Sequence, residues 1–268
     1  MRALDIQNNQ PLAVCLHASA SSSQQWSKLV ADFDGRMRVI TPDLIGYGSK
    51  DRFQKGRSLR MQDEVDNILA QIEAAAGKAN GPLHLVGHSY GGAVALQIAL
   101  TYPERVASLT VYEPAQFLLL MQGGLEAPEA QEILAVHRFV QGRLKSCLQR
   151  WSATRHFIEY WSGRGVWKRI PHRNKRRFVR LLPKIAAEFN AIFSAPVSTA
   201  DCAKLHMPIR VICGTRTRAS ASKVAEVLAK SAPNAEQVFV EGAAHMAPAT
   251  QPKDINPLII EHVLATAA

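Results

Sequence analysis

Cysteine is scarce in this chain and scattered. The 268 residues hold four (Cys15, Cys147, Cys202 and Cys213), with no Cys-x-x-Cys pair, so neither a disulfide framework nor a thiolate metal site is expected. Long apolar runs are missing as well. Met1 to Asn9 lack the apolar core of a signal peptide, and no later run approaches membrane-spanning length, so the expectation is a soluble cytoplasmic protein without a membrane partner. Acids are few: 22 Asp and Glu stand against 32 Lys and Arg, a formal charge of +10. The excess is local, because fourteen Lys and Arg face five acids between Pro114 and Ala200. With no recognised binding module beside it, that charge reads as a solvated face of helices, and nucleic acid is not expected as a partner. No internal repeat is present, and the oligomeric state is left open.

What is there is enough for a folded core. Hydrophobic residues make up 47% and charged residues 20%, and the length suits one domain carrying a large insertion. The organising stretch is Leu85-Val86-Gly87-His88-Ser89-Tyr90-Gly91-Gly92, a short apolar run ending in Gly-x-Ser-x-Gly and followed by the helix-like Ala93 to Leu100. A strand turning this sharply into a helix leaves no room for side chains at 87 and 91, and it holds the intervening serine in a strained backbone with its hydroxyl exposed. Ser89 is therefore the candidate nucleophile.

Around it the chain alternates. Leu12 to Leu16 reads as a strand, His17 to Ser23 as a small-residue loop, and Trp26, Leu29 and Val30 as a helix face. Met37 to Ile40 is a second strand, and Ser58 to Ala76 an amphipathic helix closed by Gly77 to Pro82. Ser108 to Tyr112 follows the elbow helix as a strand. Short buried strands alternating with helices predict an α/β fold: a mostly parallel sheet with helices on both faces. Ten residues before the first clear strand predict a shortened N-terminal edge, with Ala3 to Ile6 as one short strand at most. The alternation breaks from about Ala115 to Ser194, where aromatic and basic residues take helical spacing. The expected division is a core of 1–114 and 196–268 with a helical cap inserted at 115–195. Ile209 to Cys213 and Gln237 to Val240 resume the sheet, with helices over Ala221 to Ala232 and Ile255 to Leu264.

With the elbow, Pro42-Asp43-Leu44-Ile45-Gly46-Tyr47-Gly48-Ser49 and Gly242-Ala243-Ala244-His245 in order, the chain resembles the α/β-hydrolase superfamily. The match extends over most of the sequence outside the cap. The resemblance implies His245 as general base and the backbone amides of Ser19 and Tyr90 as oxyanion donors. It also implies that His17 is a structural member of the loop in which Ala18 stands for the usual glycine. Many relatives carry Gly-x-x-Asp after the strand ending here at Cys213, but this chain reads Gly214-Thr215-Arg216-Thr217. Other relatives place the acid after the strand that follows the elbow helix, where Glu113 stands. The resemblance thus implies Glu113 as the third partner, with Glu241, Asp254 or an ion-pair role for Glu113 at the cap hinge as the alternatives.

The function implied is hydrolysis of an ester or lactone of a small, partly apolar substrate through an acyl-enzyme, without cofactor or metal. The basic cap adds an expectation that the substrate carries a carboxylate. Carbon–carbon bond hydrolysis by the same residue types, and a non-catalytic small-ligand receptor on the same fold, are the alternatives.

Overall fold

The computed structural model describes residues 11–48, 53, 56, 58–76 and 81–267. The stretch Ala3 to Ile6 and the close of the helix at 77–80 lie outside the described residues. Among the described residues six strands form: β1 (Leu12–Leu16), β2 (Arg38–Ile40), β3 (Leu83–His88), β4 (Val106–Tyr112), β5 (Ile209–Gly214) and β6 (Ala235–Val240). All pair in parallel, in the order β2-β1-β3-β4-β5-β6.

Because strand side chains alternate, Leu12, Val14 and Leu16 of β1 enter one apolar layer while Ala13 and Cys15 enter the other. Both faces are covered. On one face lie α1 (Ser27–Phe33) and the last helix, through Leu29, Phe33, Ile255 and Ile259; the other face holds α2 (Met61–Ala76) and α3 (Tyr90–Thr101). Five helices follow β4: α4 (Leu118–Met121), α5 (Pro128–Gln141), α6 (Cys147–Ser162), α7 (Val166–Arg169) and α8 (His172–Ser194). Then come α9 (Thr199–Cys202) before β5, α10 (Ala219–Ser231) before β6, and α11 (Ala247–Thr250) and α12 (Pro252–Ala265) at the end. Helix α12 begins three residues ahead of the apolar periodicity because proline is accepted at a first helical turn, whose N–H groups need no intrahelical acceptor.

The exposed side of α8 carries Arg173, Arg176, Arg177 and Arg180, while Leu182, Ile185, Phe189 and Ile192 are buried. Among the described residues no helix is long and apolar enough to cross a membrane. All four cysteines are free thiols, and only Cys147 is exposed.

Strand order decides where chemistry can sit. The chain leaves β1 toward β2 and returns on its other side with β3, so the loops after β1 and β3 diverge and open a crevice at the carboxyl ends of the strands. Ser19 follows β1 and Ser89 follows β3, which puts both at that crevice.

Candidate active site

The turn after β3 holds Ser89 at φ 53° and ψ −117°, a left-handed region that an L-residue enters at a cost of about 1–3 kcal/mol. Neighbouring backbone holds it there. Ser89 N–H donates to Tyr112 O at 3.1 Å, and Ser89 O accepts from Ala93 and Ala115 N–H at 3.0 and 2.9 Å. The two motif glycines are steric requirements: a Cβ at 87 would lie 2.6 Å from Gly91 O, and one at 91 would lie 2.4 Å from Leu16 O. Only with both absent can α3 start directly over the end of β1.

Register brings the next residue alongside. His88 pairs with Tyr112, so Glu113 emerges beside Ser89 at the end of β4, also with positive φ (44°). His245 comes from three strands away, about 14 Å at ordinary strand spacing, and the loop after β6 spans that gap. The loop is tied back at several points: Arg216 N–H donates to Ala243 O at 2.9 Å, Tyr112 O–H to Ala244 O at 2.9 Å, and His88 Nε2–H to His245 O at 2.8 Å. His88 is fully buried, and burial drives its pKa well below the usual imidazole value, so it acts as a neutral donor. The histidine inside the elbow motif thus anchors the backbone of His245.

Ser89 O–H donates to His245 Nε2 at 3.0 Å, and His245 Nδ1–H donates to Glu113 Oε2 at 2.7 Å. All three are buried, Ser89 at 6%, His245 at 3% and Glu113 at 1% exposure. The carboxylate at Nδ1 fixes the tautomer that leaves the Nε2 lone pair facing the hydroxyl. Glu113 accepts further bonds from Gly214 N–H at 2.9 Å and Thr217 O–H at 2.6 Å, both from the segment after β5. Thr217 occupies the place of the carboxylate absent from that segment and holds Glu113 instead, a contact that no short motif announces. Glu241 and Asp254 are exposed and make no contact with His245 among the described residues. The thiol of Cys213, 3.9 Å from Glu113, is pushed up to about 12 by burial and then by that carboxylate, and stays neutral.

The loop after β1 is equally determined. His17 Nδ1–H donates to Ala18 O at 2.8 Å and Nε2 accepts from Leu44 N–H at 3.2 Å, while burial lowers its pKa to about 4. The left-handed residue of the loop is Ala20 (φ 60°), so alanine at 18 meets no backbone restriction. Ala18 N–H donates to Gln25 Oε1 and Ala20 N–H to the Tyr47 hydroxyl. The amide of Ser19 has no acceptor among the described residues. Nor does that of Tyr90 have one within α3, being the first of the helix. The Ser19 hydroxyl donates to Glu188 of α8 at 2.6 Å.

A cavity of about 210 Å³ opens onto Ser89 and His245. Its far walls, Phe157, Ile158, Trp161, Val166, Ile170 and Phe178, come from α6 to α8, and among the described residues no Lys or Arg lines it. Trp161 stacks on the His245 ring, centroids 4.0 Å apart, and divides this cavity from a cleft of about 380 Å³ bordered by Arg216 and Arg218. Among the described residues no cluster of His, Cys, Asp or Glu is arranged to hold a metal ion.

A relay of hydroxyl, imidazole and buried carboxylate at the switch point of a parallel sheet is accompanied by a family match along nearly the whole chain. The family model described as "Alpha/beta hydrolase family" matches residues 13–258. The chain belongs to that family. This α/β-hydrolase is 26% identical over 263 residues to monoacylglycerol lipase ABHD6 of Homo sapiens, spanning 94% of this chain and 75% of that one. A thermophilic esterase from Thermogutta terrifontis superposes with a TM-score of 0.73 at 20% identity, over 97% of this chain and 92% of the other. The 2-hydroxy-6-oxo-6-phenylhexa-2,4-dienoate hydrolase of a Rhodococcus strain does so with a TM-score of 0.67 at 22% identity, over 94% and 90%. At those identities the two structures speak to fold. The protein is thus an enzyme of the hydrolase class, and the expected α/β fold, a mostly parallel sheet with helices on both faces, is the one observed.

Proposed function

We propose that this α/β-hydrolase cleaves a carboxylic ester or lactone of a small, partly apolar substrate through an acyl-enzyme on Ser89. The observation that carries the reading is the continuous relay from Ser89 Oγ through His245 to Glu113, at 3.0 and 2.7 Å, opening onto an apolar cavity. His245 Nε2 takes the serine proton as Oγ attacks the carbonyl carbon. Electrons shift to the carbonyl oxygen, which the amides of Ser19 and Tyr90 receive; such donors contribute about 2.7–4 kcal/mol each. The imidazolium then protonates the departing alcohol as the carbon–oxygen bond breaks. Water, deprotonated by the same nitrogen, releases the acid and restores the serine. Glu113 orients the imidazole through Nδ1–H, and Gly214 N–H and Thr217 O–H hold its carboxylate in place.

In this reading residues 115–195 are a cap that supplies the walls for the acyl or alkyl part, and the core of 1–114 and 196–268 supplies the chemistry. That no Lys or Arg lines the cavity among the described residues favours a substrate that is neutral around the scissile bond. The name of the human relative, a monoacylglycerol lipase, makes glycerol esters a natural set to assay. The test is pre-steady-state hydrolysis of p-nitrophenyl butyrate. A burst approaching one equivalent of nitrophenol, with added methanol diverting product to methyl butyrate, is expected. Turnover that methanol cannot divert would oppose a shared acyl-enzyme.

A further inference from the structure

A buried polar network joins α8 to the loop that carries Ser19. Helix α8 brings Lys184 and Glu188, one turn apart, into the interior at 1% and 2% exposure. Lys184 Nζ donates to Glu64 Oε1 at 2.5 Å and lies 3.5 Å from Glu188 Oε1. Glu188 accepts the Ser19 hydroxyl through Oε2 at 2.6 Å and the Tyr47 hydroxyl through Oε1 at 2.7 Å. The Tyr47 hydroxyl in turn accepts Ala20 N–H at 3.0 Å. Glu64 accepts Ile45 N–H at 2.9 Å and, more distantly, the hydroxyl of Tyr90, the residue after the nucleophile, at 3.4 Å.

Three charges in a protein interior are costly unless each is paired and hydrogen-bonded, and even then a buried ion network adds little net stability over apolar packing. What such a network does supply is a defined geometry. Here the geometry converges on one residue. The side chain of Ser19 is held by Glu188, and the amide on its far side, at Ala20, is held by Tyr47, which Glu188 also holds. The free N–H of Ser19 lies between these two fixed points.

We propose that Glu188 is a positioning residue for the oxyanion hole: its carboxylate fixes the Ser19 side chain and Tyr47, and so aims the Ser19 amide at the crevice. Because Glu188 rides on α8, the hole is complete only while the 115–195 segment is docked on the core. The inference rests on Ser89 being the nucleophile.

The test uses the full-length enzyme with Ser19→Ala, Tyr47→Phe and Glu188→Gln, and Ser19→Thr as the conservative replacement. Ser19→Ala keeps the amide and removes only its tether. It is expected to lower kcat for p-nitrophenyl butyrate about 10- to 100-fold, the scale of a small misplacement of catalytic groups. KM should stay within about twofold, as for an interaction made only in the transition state. Affinity for a trifluoromethyl ketone, whose adduct places an oxyanion in the hole, should fall in parallel with kcat/KM, and Ser19→Thr should recover most of both. Combining Ser19→Ala with Glu188→Gln should add little to either alone, since both cut the same link.

Near-normal kcat and ketone affinity in folded Ser19→Ala and Tyr47→Phe would overturn the proposal, as would a loss confined to KM. If Glu188→Gln does not fold, those two variants decide. A fluorophosphonate separates the two levels. Wild-type enzyme that takes no label at Ser89 removes the foundation and the proposal together. Labelled wild type with unaffected Ser19 and Tyr47 variants removes the positioning role alone.

Discussion

Replacing Glu113 by glutamine keeps the side chain's shape and removes its charge, and the structure shows why this should be severe. The carboxylate receives His245 Nδ1–H at 2.7 Å and Thr217 O–H at 2.6 Å on Oε2, and Gly214 N–H at 2.9 Å on Oε1. An amide has one accepting end. If its oxygen faces His245, its NH2 confronts the N–H of Gly214 in a site 1% exposed, an unsatisfied buried contact costing about 1–3 kcal/mol. If it turns to satisfy Gly214, its NH2 faces Nδ1, and the imidazole must carry its proton on Nε2, where it can no longer accept from Ser89. Either orientation leaves the imidazolium without a counter-charge. In a Ser-His-Asp triad the equivalent amide replacement lowers kcat about 10⁴-fold, equivalent to about 5.4 kcal/mol. The expectation here is a loss of about 10³- to 10⁴-fold on p-nitrophenyl butyrate, with KM little changed and the circular dichroism of the wild type retained. A folded Glu113→Gln enzyme within tenfold of wild-type kcat would reopen the choice of acid; Asp254→Asn, at an exposed residue with no contact to His245 among the described residues, is the control expected to do little.

Other outcomes follow from packing, burial and cavity size. Gly91→Ala drives a Cβ to 2.4 Å from Leu16 O and should destabilise by about 3 kcal/mol, the upper end of usual overpacking costs, while Gly123→Ala, whose nearest contact is 3.6 Å, should be near neutral in a thermal melt. His17 and His262 are both lowered to about 4, chiefly by burial, so between pH 4 and 6.5 the unfolded chain binds more protons than the native one. Stability is therefore complete above that window and falls as pH drops through it, with a slope approaching about 2.7 kcal/mol per pH unit for the two together; a melting temperature unchanged from pH 7 to 5 would contradict this. A cavity of about 210 Å³ predicts faster hydrolysis of butyrate than of laurate esters, checked by kcat/KM along a chain-length series. Product analysis should find esters cleaved and a vinylogous diketone intact.

Some of this was legible in the linear chain because the physics is local. Gly87 and Gly91 flank Ser89 as a steric condition written in three alternate positions, and the alternating faces of the strands follow from Leu12 to Leu16 alone. Strand and helix ends moved by one to three residues where capping rather than periodicity decides, as at Pro252. Other features depend on segments far apart. Thr217 and Gly214 meet Glu113 across about a hundred residues, and Lys184 and Glu188 meet Glu64, Tyr47 and Ser19 only once α8 has docked. A signal for the latter was present: Lys184 and Glu188 sit four apart among Leu182, Ile185 and Phe189, charged residues on a face otherwise apolar.

The most direct measurement is reaction of the wild-type enzyme with a fluorophosphonate, followed by intact-mass and peptide analysis. One adduct per chain is expected, on the peptide bearing Ser89, abolished by Ser89→Ala and slowed in Glu113→Gln. An enzyme that hydrolyses esters while Ser89 stays unmodified, or that labels equally in Ser89→Ala, would contradict Ser89 as the nucleophile.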